Sequence, residues 1–213
     1  DLGYQVVAVE QVIVGKVPAN NPCKMSDQRL EQLQKARSIL RRLTIVASDP
    51  NANIGISGSN SALAPFDIIA VQPTNERMFL LACQSMEVDI ISIDLTERLS
   101  FQLKHNAIGL AISRGIMFEI KYSPAIVNPT SVRPLLINNA LNLVRVTRGK
   151  HLILSSGYAA KNGFGGMRPP HDVMNMAALF SLNQTMARPC ILDNCRATIF
   201  HADTRKSIHK SVV

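Results

Sequence analysis

Asp94, Tyr122, Ser123, Ser156, His201 and Asp203 fall at the ends of apolar runs, where a polar side chain can reach solvent and a substrate. Ser92, Glu119, Lys121 and Arg196 lie within such runs and would point into whatever the runs enclose. A metal-dependent hydrolase needs several His and carboxylate ligands converging on one ion. Only Asp94, His201 and Asp203 suit that role, and no His-x-His pair accompanies them. Neither Ser123 nor Ser156 sits in a Gly-x-Ser-x-Gly elbow, so serine nucleophile chemistry has no motif. Glu119, Lys121 and Arg196 read more simply as ion pairs neutralising one another, and His201 as a hydrogen-bonded structural histidine. The four cysteines (Cys23, Cys83, Cys190 and Cys195) contain no Cys-x-x-Cys pair; they read as reduced thiols of an intracellular protein rather than zinc ligands. No catalytic residue and no metal site is assigned.

Charge supplies a second chemistry. Residues 1–129 hold 12 Lys/Arg and 12 Asp/Glu, whereas residues 130–213 hold 11 Lys/Arg against Asp172, Asp193 and Asp203, so the whole net charge of +8 sits in the last part of the chain. Localised positive charge is the footprint of a polyanion, because each cation that meets a phosphate releases a counterion; the alternative is an ordinary basic surface kept for solubility. Candidates for RNA contact are Lys150, Lys161, Arg168, Arg205 and Lys206, with Arg114 and Arg196 behind them. Arg114 ends a helix-like stretch and suits a capping role equally well. Arg205-Lys206 beside Asp203 reads equally as a solvated cluster.

These side chains need a scaffold. Strand-like runs, short and rich in Val and Ile, occur at Tyr4–Val9, Leu43–Ala47, Asp67–Val71, Val88–Leu95, Ile116–Tyr122, Leu152–Ser156 and Ala197–His201. Amphipathic helices alternate with them. Thr74 or Asn75 can cap one carrying Phe79, Ala82, Cys83 and Met86 on one face. Ser131–Arg148 is another, with Pro134 tolerable only in its first turn, and its apolar residues wrap far enough round to predict deep packing. A third starts at Pro169-Pro170 with Val173, Met176, Ala177 and Phe180 in line.

Seven βα-type units predict a parallel α/β fold, either a closed barrel or a doubly wound sheet. With no Gly-rich dinucleotide fingerprint or P-loop, the barrel is preferred, as one domain over residues 1–206 with a tail beginning at 207. Asp1-Leu2-Gly3 runs directly into a strand, so a first barrel strand is expected upstream. No apolar run approaches the ~20 residues of a membrane span, predicting a soluble protein. The Gly-rich segment 157–170 would lie at the C-terminal face of a barrel, where function usually sits. It reads either as a connector or as backbone flexible enough to approach phosphates.

Six strings appear in one order: DIIAVQPTNERMFLLAC (67–83), VDIISIDLTERLSF (88–101), AISRGIMFEIKYSPAI (111–126), NALNLVRVTRGKHLILSSG (139–157), RPPHDVMNMAALFSL (168–182) and NCRATIFHADTRKS (194–207). Together they resemble the thirty-kilodalton protein subunit of ribonuclease P and ribonuclease MRP. The resemblance implies a TIM-barrel-like fold of the polymerase-and-histidinol-phosphatase type, whose active members bind metal through His-rich motifs starting in the first strand. It implies a subunit that binds no cofactor itself, in a ribonucleoprotein whose RNA uses Mg²⁺ to remove the 5′ leader of precursor tRNA, with precursor rRNA processing in the MRP particle. Implied partners are the catalytic RNA, precursor tRNA through the particle, and a small subunit with an RNA-recognition-like fold; the implied location is the nucleus and nucleolus. A phosphoesterase retaining the ancestral metal chemistry is the alternative.

Overall fold

The computed structural model describes residues 2–18, 38–51, 56, 60–127, 130–157 and 166–210. Six strands run β1 (Val6–Val14), β2 (Ser38–Ala47), β3 (Ile68–Pro73), β4 (Ile90–Ser92), β5 (Met117–Lys121) and β6 (Leu152–Ser155). All are parallel and pair strictly in chain order, β1 to β6. That order is what repeated right-handed crossovers of one hand produce when a sheet winds toward a barrel.

The predicted seventh strand, Ala197–His201, is instead part of a helix. The β-branched and aromatic content of Ala-Thr-Ile-Phe-His suggested extended backbone, but the burial period is helical: Thr198, Ala202 and Arg205 turn inward while Ala197, Phe200, Asp203 and Thr204 face out. Thr198 and Thr204 each donate their hydroxyl to the carbonyl four residues back, at 2.8 Å, which lets both remain inside the helix. The fold therefore has six strands where seven were expected among these residues, and remains a barrel-like α/β sheet.

The helices are α1 (Glu76–Gln84), α2 (His105–Ser113), α3 (Ser123–Val127), α4 (Val132–Thr147), α5 (Pro170–Met176), α6 (Gln184–Ile191) and α7 (Asp193–Lys210). Of the two proposed caps for α1, Asn75 takes the part, accepting from the Met78 amide at 2.9 Å, while Thr74 bonds the Ala47 carbonyl. α4 is less deeply packed than expected: Leu136, Ala140, Leu143 and Val144 are buried but Leu135 is 40% exposed. The wide apolar arc therefore includes a residue that no neighbouring element covers. α7 continues through Lys210, past the expected start of the tail.

Alternation along each strand separates two cores. Ile69, Val71, Ile91, Phe118, Ile120 and Leu154 point to one side and join the helices in the larger core. Ile68, Ala70, Ile90, Met117 and Ile153 point to the other and are closed over by Ala202 of α7. The inner side is concave. β2 and β5 are separated by two strands, about 14 Å apart in a flat sheet, yet Arg42 of β2 and Glu119 of β5 touch. A cavity of about 230 Å³ touched by all six strands lies on that side, against α7.

Candidate functional site: the strand ends

The inner face carries a closed set of charges. Glu10 and Arg42 are neighbours in the β1–β2 register, and Ser92, Glu119 and Ile153 are successive register partners across β4, β5 and β6. The Arg42 guanidinium grips both Glu119 oxygens at 2.5 and 2.6 Å, and Ser155 donates to the same carboxylate at 2.7 Å. Glu10 accepts from Thr44 at 2.5 Å and Lys121 at 2.9 Å, and lies 3.3 Å from Arg42. Two acids thus meet two cations.

Burial alone would raise the Glu119 pKa, but Arg42 outweighs it and, with Lys121, holds the carboxyl at about 2. For Arg42 burial works against the charge, and Glu119 and Glu10 more than restore it, so its pKa is raised. A general acid or base must titrate near the working pH, and Glu119 does not. Gly157 makes room for this arrangement: a Cβ there would lie 2.5 Å from the Lys121 stem.

Glu119 and Lys121 are each ion-paired as expected, but with Arg42 and Glu10 rather than with one another, and the third member is not part of the set. Arg196 is exposed on α7, and Arg42 is the buried cation. Arg42 went unnoticed because Arg41-Arg42 resembles a surface pair; its signal is the inward phase it shares with Thr44 along β2.

The polar residues proposed for a metal lie apart. Asp94 accepts from the amide and hydroxyl of Thr96 in its own exposed turn. Asp203 faces outward on α7. His201 sits at the opposite rim, with Nδ1 2.8 Å from Asp89 and Nε2 3.1 Å from the Arg114 carbonyl, so it is a hydrogen-bonded structural histidine on a helix rather than at a strand end. Among the described residues no three of His, Cys, Asp and Glu group closely enough to hold a metal ion. Ser123 is buried, and Tyr122 accepts from the Arg168 amide at 3.2 Å. Burial pushes the Cys83 and Cys195 thiols up to about 12 and Cys190 to about 11, which leaves no thiolate at neutral pH.

The proposed RNA-contacting cations divide by surroundings. Arg205 is buried, with Nε and one terminal nitrogen on Asp89 at 3.1 and 2.9 Å. Lys206 reaches Asp67 at 2.9 Å. Arg114 donates to the Ala82, Cys83 and Met86 carbonyls, tying off the end of α1 as the capping alternative described. Arg168 is half-buried, its backbone held between Tyr4 and Tyr122. Lys150 and Arg196 are exposed, and Lys161 lies outside the described residues. Arg145, Arg148 and Arg188, not singled out from the sequence, are exposed as well.

Comparison with known proteins adds a different kind of finding. The family model described as RNase P subunit p30 matches residues 1–207. The chain is 38% identical over 214 residues to the mouse protein named ribonuclease P protein subunit p30, covering 97% of this chain and 78% of that one. It is 35% identical over 218 residues to the fission yeast Schizosaccharomyces pombe protein named probable ribonuclease P protein subunit 3, covering 100% of this chain and 86% of that one. Its fold is similar to a chain in a cryo-EM structure of archaeal ribonuclease P with mature tRNA, with a TM-score of 0.71 at 14% identity, over 98% of this chain and 85% of that one.

Proposed function

The chain belongs to the RNase P subunit p30 family, and from that premise we propose that it is a non-catalytic protein subunit of ribonuclease P. In this reading the particle's RNA, with Mg²⁺, removes the 5′ leader from precursor tRNA, and this chain holds RNA and protein partners. The observation that carries the non-catalytic part is the inner charge set. Along the inner face, Glu10, Arg42 and Glu119, midway through β1, β2 and β5, neutralise one another together with Lys121 at the end of β5. A group locked in one charge state by its neighbours neither takes nor gives a proton during turnover. The excess of cations after residue 130 supports the RNA-binding part.

The same reading extends to ribonuclease MRP and precursor rRNA, to a small protein partner with an RNA-recognition-like fold, and to the nucleus and nucleolus. Exposed Lys150 and Arg196 are the prime RNA contacts among the cations first proposed, with Arg168 and Lys161 behind them. Arg114 and Arg205 serve the fold.

Affinity purification of the tagged protein, assayed for precursor-tRNA 5′ cleavage with and without prior nuclease digestion, tests this. Cleavage that co-purifies and disappears on digestion is expected. Cleavage that survives digestion, or bound Zn²⁺ or Mn²⁺ at one equivalent with phosphoester turnover, would replace the scaffold reading with chemistry in the protein.

A further inference from the structure

Between Glu119 and Asp172 the chain carries seven Lys/Arg and no Asp or Glu. Lys121 belongs to the inner charge set. Three of the others, Arg145, Arg148 and Lys150, stand together where α4 ends and turns into β6. α4 runs back from the C-terminal ends of the strands, so this turn lies at the N-terminal rim of the sheet, opposite the face where barrel function is usually sought.

The turn is tightly built. Arg148, Gly149 and His151 all have left-handed backbone, with φ of 55°, 68° and 54°. For Arg148 and His151 that conformation costs about 1 kcal/mol or more each, and the surroundings must hold it in place. At Gly149 the turn packs so closely on α6 that a Cβ would lie 2.9 Å from the Met186 sulfur. The amides of Arg148, Gly149 and Lys150 close on the last turn of α4, and the His151 carbonyl accepts from Phe118 of β5 at 2.8 Å. α7 starts at the same place, with Asn194 donating to the Leu152 carbonyl at 2.7 Å. Arg196, two residues after Asn194 on α7, and Arg188, two residues after Met186 on α6, are exposed.

None of Arg145, Arg148, Lys150, Arg188 and Arg196 forms an ion pair among the described residues, whereas Arg42, Lys104, Lys121, Arg205 and Lys206 all do. Cations at a helix C-terminus favour the helix dipole, which accounts for Arg145 in the last turn of α4 and Arg188 in the last turn of α6, but not for Arg196 in the first turn of α7, where the dipole opposes it. No Phe, Tyr or Trp occurs between Ser123 and Gly157, so His151 is the one aromatic ring of the turn, and it is partly buried.

We propose that the rigid α4–β6 turn, with Arg145, Arg148 and Lys150 flanked by Arg188 and Arg196, is a docking edge for the ribose-phosphate backbone of folded RNA. It rests on the subunit reading above and places the RNA at the N-terminal rim. Recognition there is chiefly by charge and backbone shape, because the edge presents long cations on a fixed backbone and no exposed Phe, Tyr or Trp in the turn itself.

The test uses the purified full-length protein, the RNA component of its own ribonuclease P, and an unrelated structured RNA of equal length, titrated from low to moderate salt. The variants are Arg145→Glu/Arg148→Glu/Lys150→Glu, the milder Arg145→Gln/Arg148→Gln/Lys150→Gln, and a control, Arg77→Glu/Arg98→Glu, at the opposite end of the sheet. Both rim variants should lower affinity for the two RNAs alike, by about tenfold or more, and flatten the salt dependence by about two to three in log–log slope. The control should change neither by as much, and thermal melts should stay cooperative for the Gln variant. Unchanged affinity and slope in the Gln variant would overturn the docking edge, as would loss of a protein partner with RNA affinity intact. Nuclease-sensitive cleavage co-purifying with the unmodified protein reports on the subunit reading separately, so either can fail alone.

Discussion

Glu119 is fully buried and accepts both arms of Arg42, so each residue makes the other tolerable in the interior. Removing one partner strands a buried charge, which costs about 3–5 kcal/mol, whereas replacing both with apolar groups of similar volume costs far less. Arg42→Met and Glu119→Leu are each expected to lower stability by that order in urea titrations, with the double variant closer to the parent than the sum. The same pair sets an acid limit. The Glu119 pKa falls from about 4.5 to about 2 on folding, so its contribution is complete above about 4.5 and is lost as pH falls through about 2. Circular-dichroism melts stepped down through that window should show stability declining in the parent protein, with a shallower decline in Glu119→Leu.

At the scale of elements, α7 and the strand ends depend on one another. Asp89, just before β4, receives His201 and Arg205, gives one oxygen to the Ile69 amide, and is buried throughout. Asp67, just before β3, receives Lys206 and the Arg41 amide. Asp89→Asn keeps the shape but leaves Arg205 facing a neutral amide, and should cost about 3 kcal/mol or more. Lys206→Ala removes a half-exposed pair and should cost less than about 1 kcal/mol. Measured side by side, equal losses would contradict the different burial of these two latches. The α4–β6 turn makes a similar demand. Gly149→Ala places a methyl against Met186 at a left-handed φ and should destabilise by about 1–2 kcal/mol; a neutral or stabilising result in thermal melts would show that the turn relaxes.

For the whole molecule, one helix closes one face of the sheet. Ile68, Ile90, Met117 and Ile153 are covered by α7 through Ala202, and the wall of the 230 Å³ cavity includes Cys195 and Thr198. A chain ending before Asp193 would expose that face. It should bind a hydrophobic dye and melt without a cooperative transition, and a sharp melt with no dye binding would mean the sheet stands without α7. The charge distribution also has meaning only at this scale. Among the described cations of residues 130–213, Arg205 and Lys206 are locked to acids at the strand ends, whereas Arg145, Arg148 and Lys150 are exposed at the α4–β6 turn.

Much of this was legible in the chain itself. Short Val- and Ile-rich runs spaced by amphipathic segments specify parallel strands covered by helices, because two-sided burial and alternation with helices leave few other arrangements. The ordered strings from Asp67 to Ser207 pointed to the family. Partners distant in sequence were not legible. Arg42 and Glu119 meet across 77 positions, and Arg205 and Asp89 across 116. Only the curl of the sheet and the path of α7 decide which cation is neutralised and which remains available to a phosphate. The same holds for Ala197–His201, whose residue types favour a strand but whose inward period is met only by a helix lying on the concave face. Composition and local period fix the kind of element and the sum of charge, since both act within a few residues; the pairing of buried charges is set by long-range packing, and only the tertiary structure decides it.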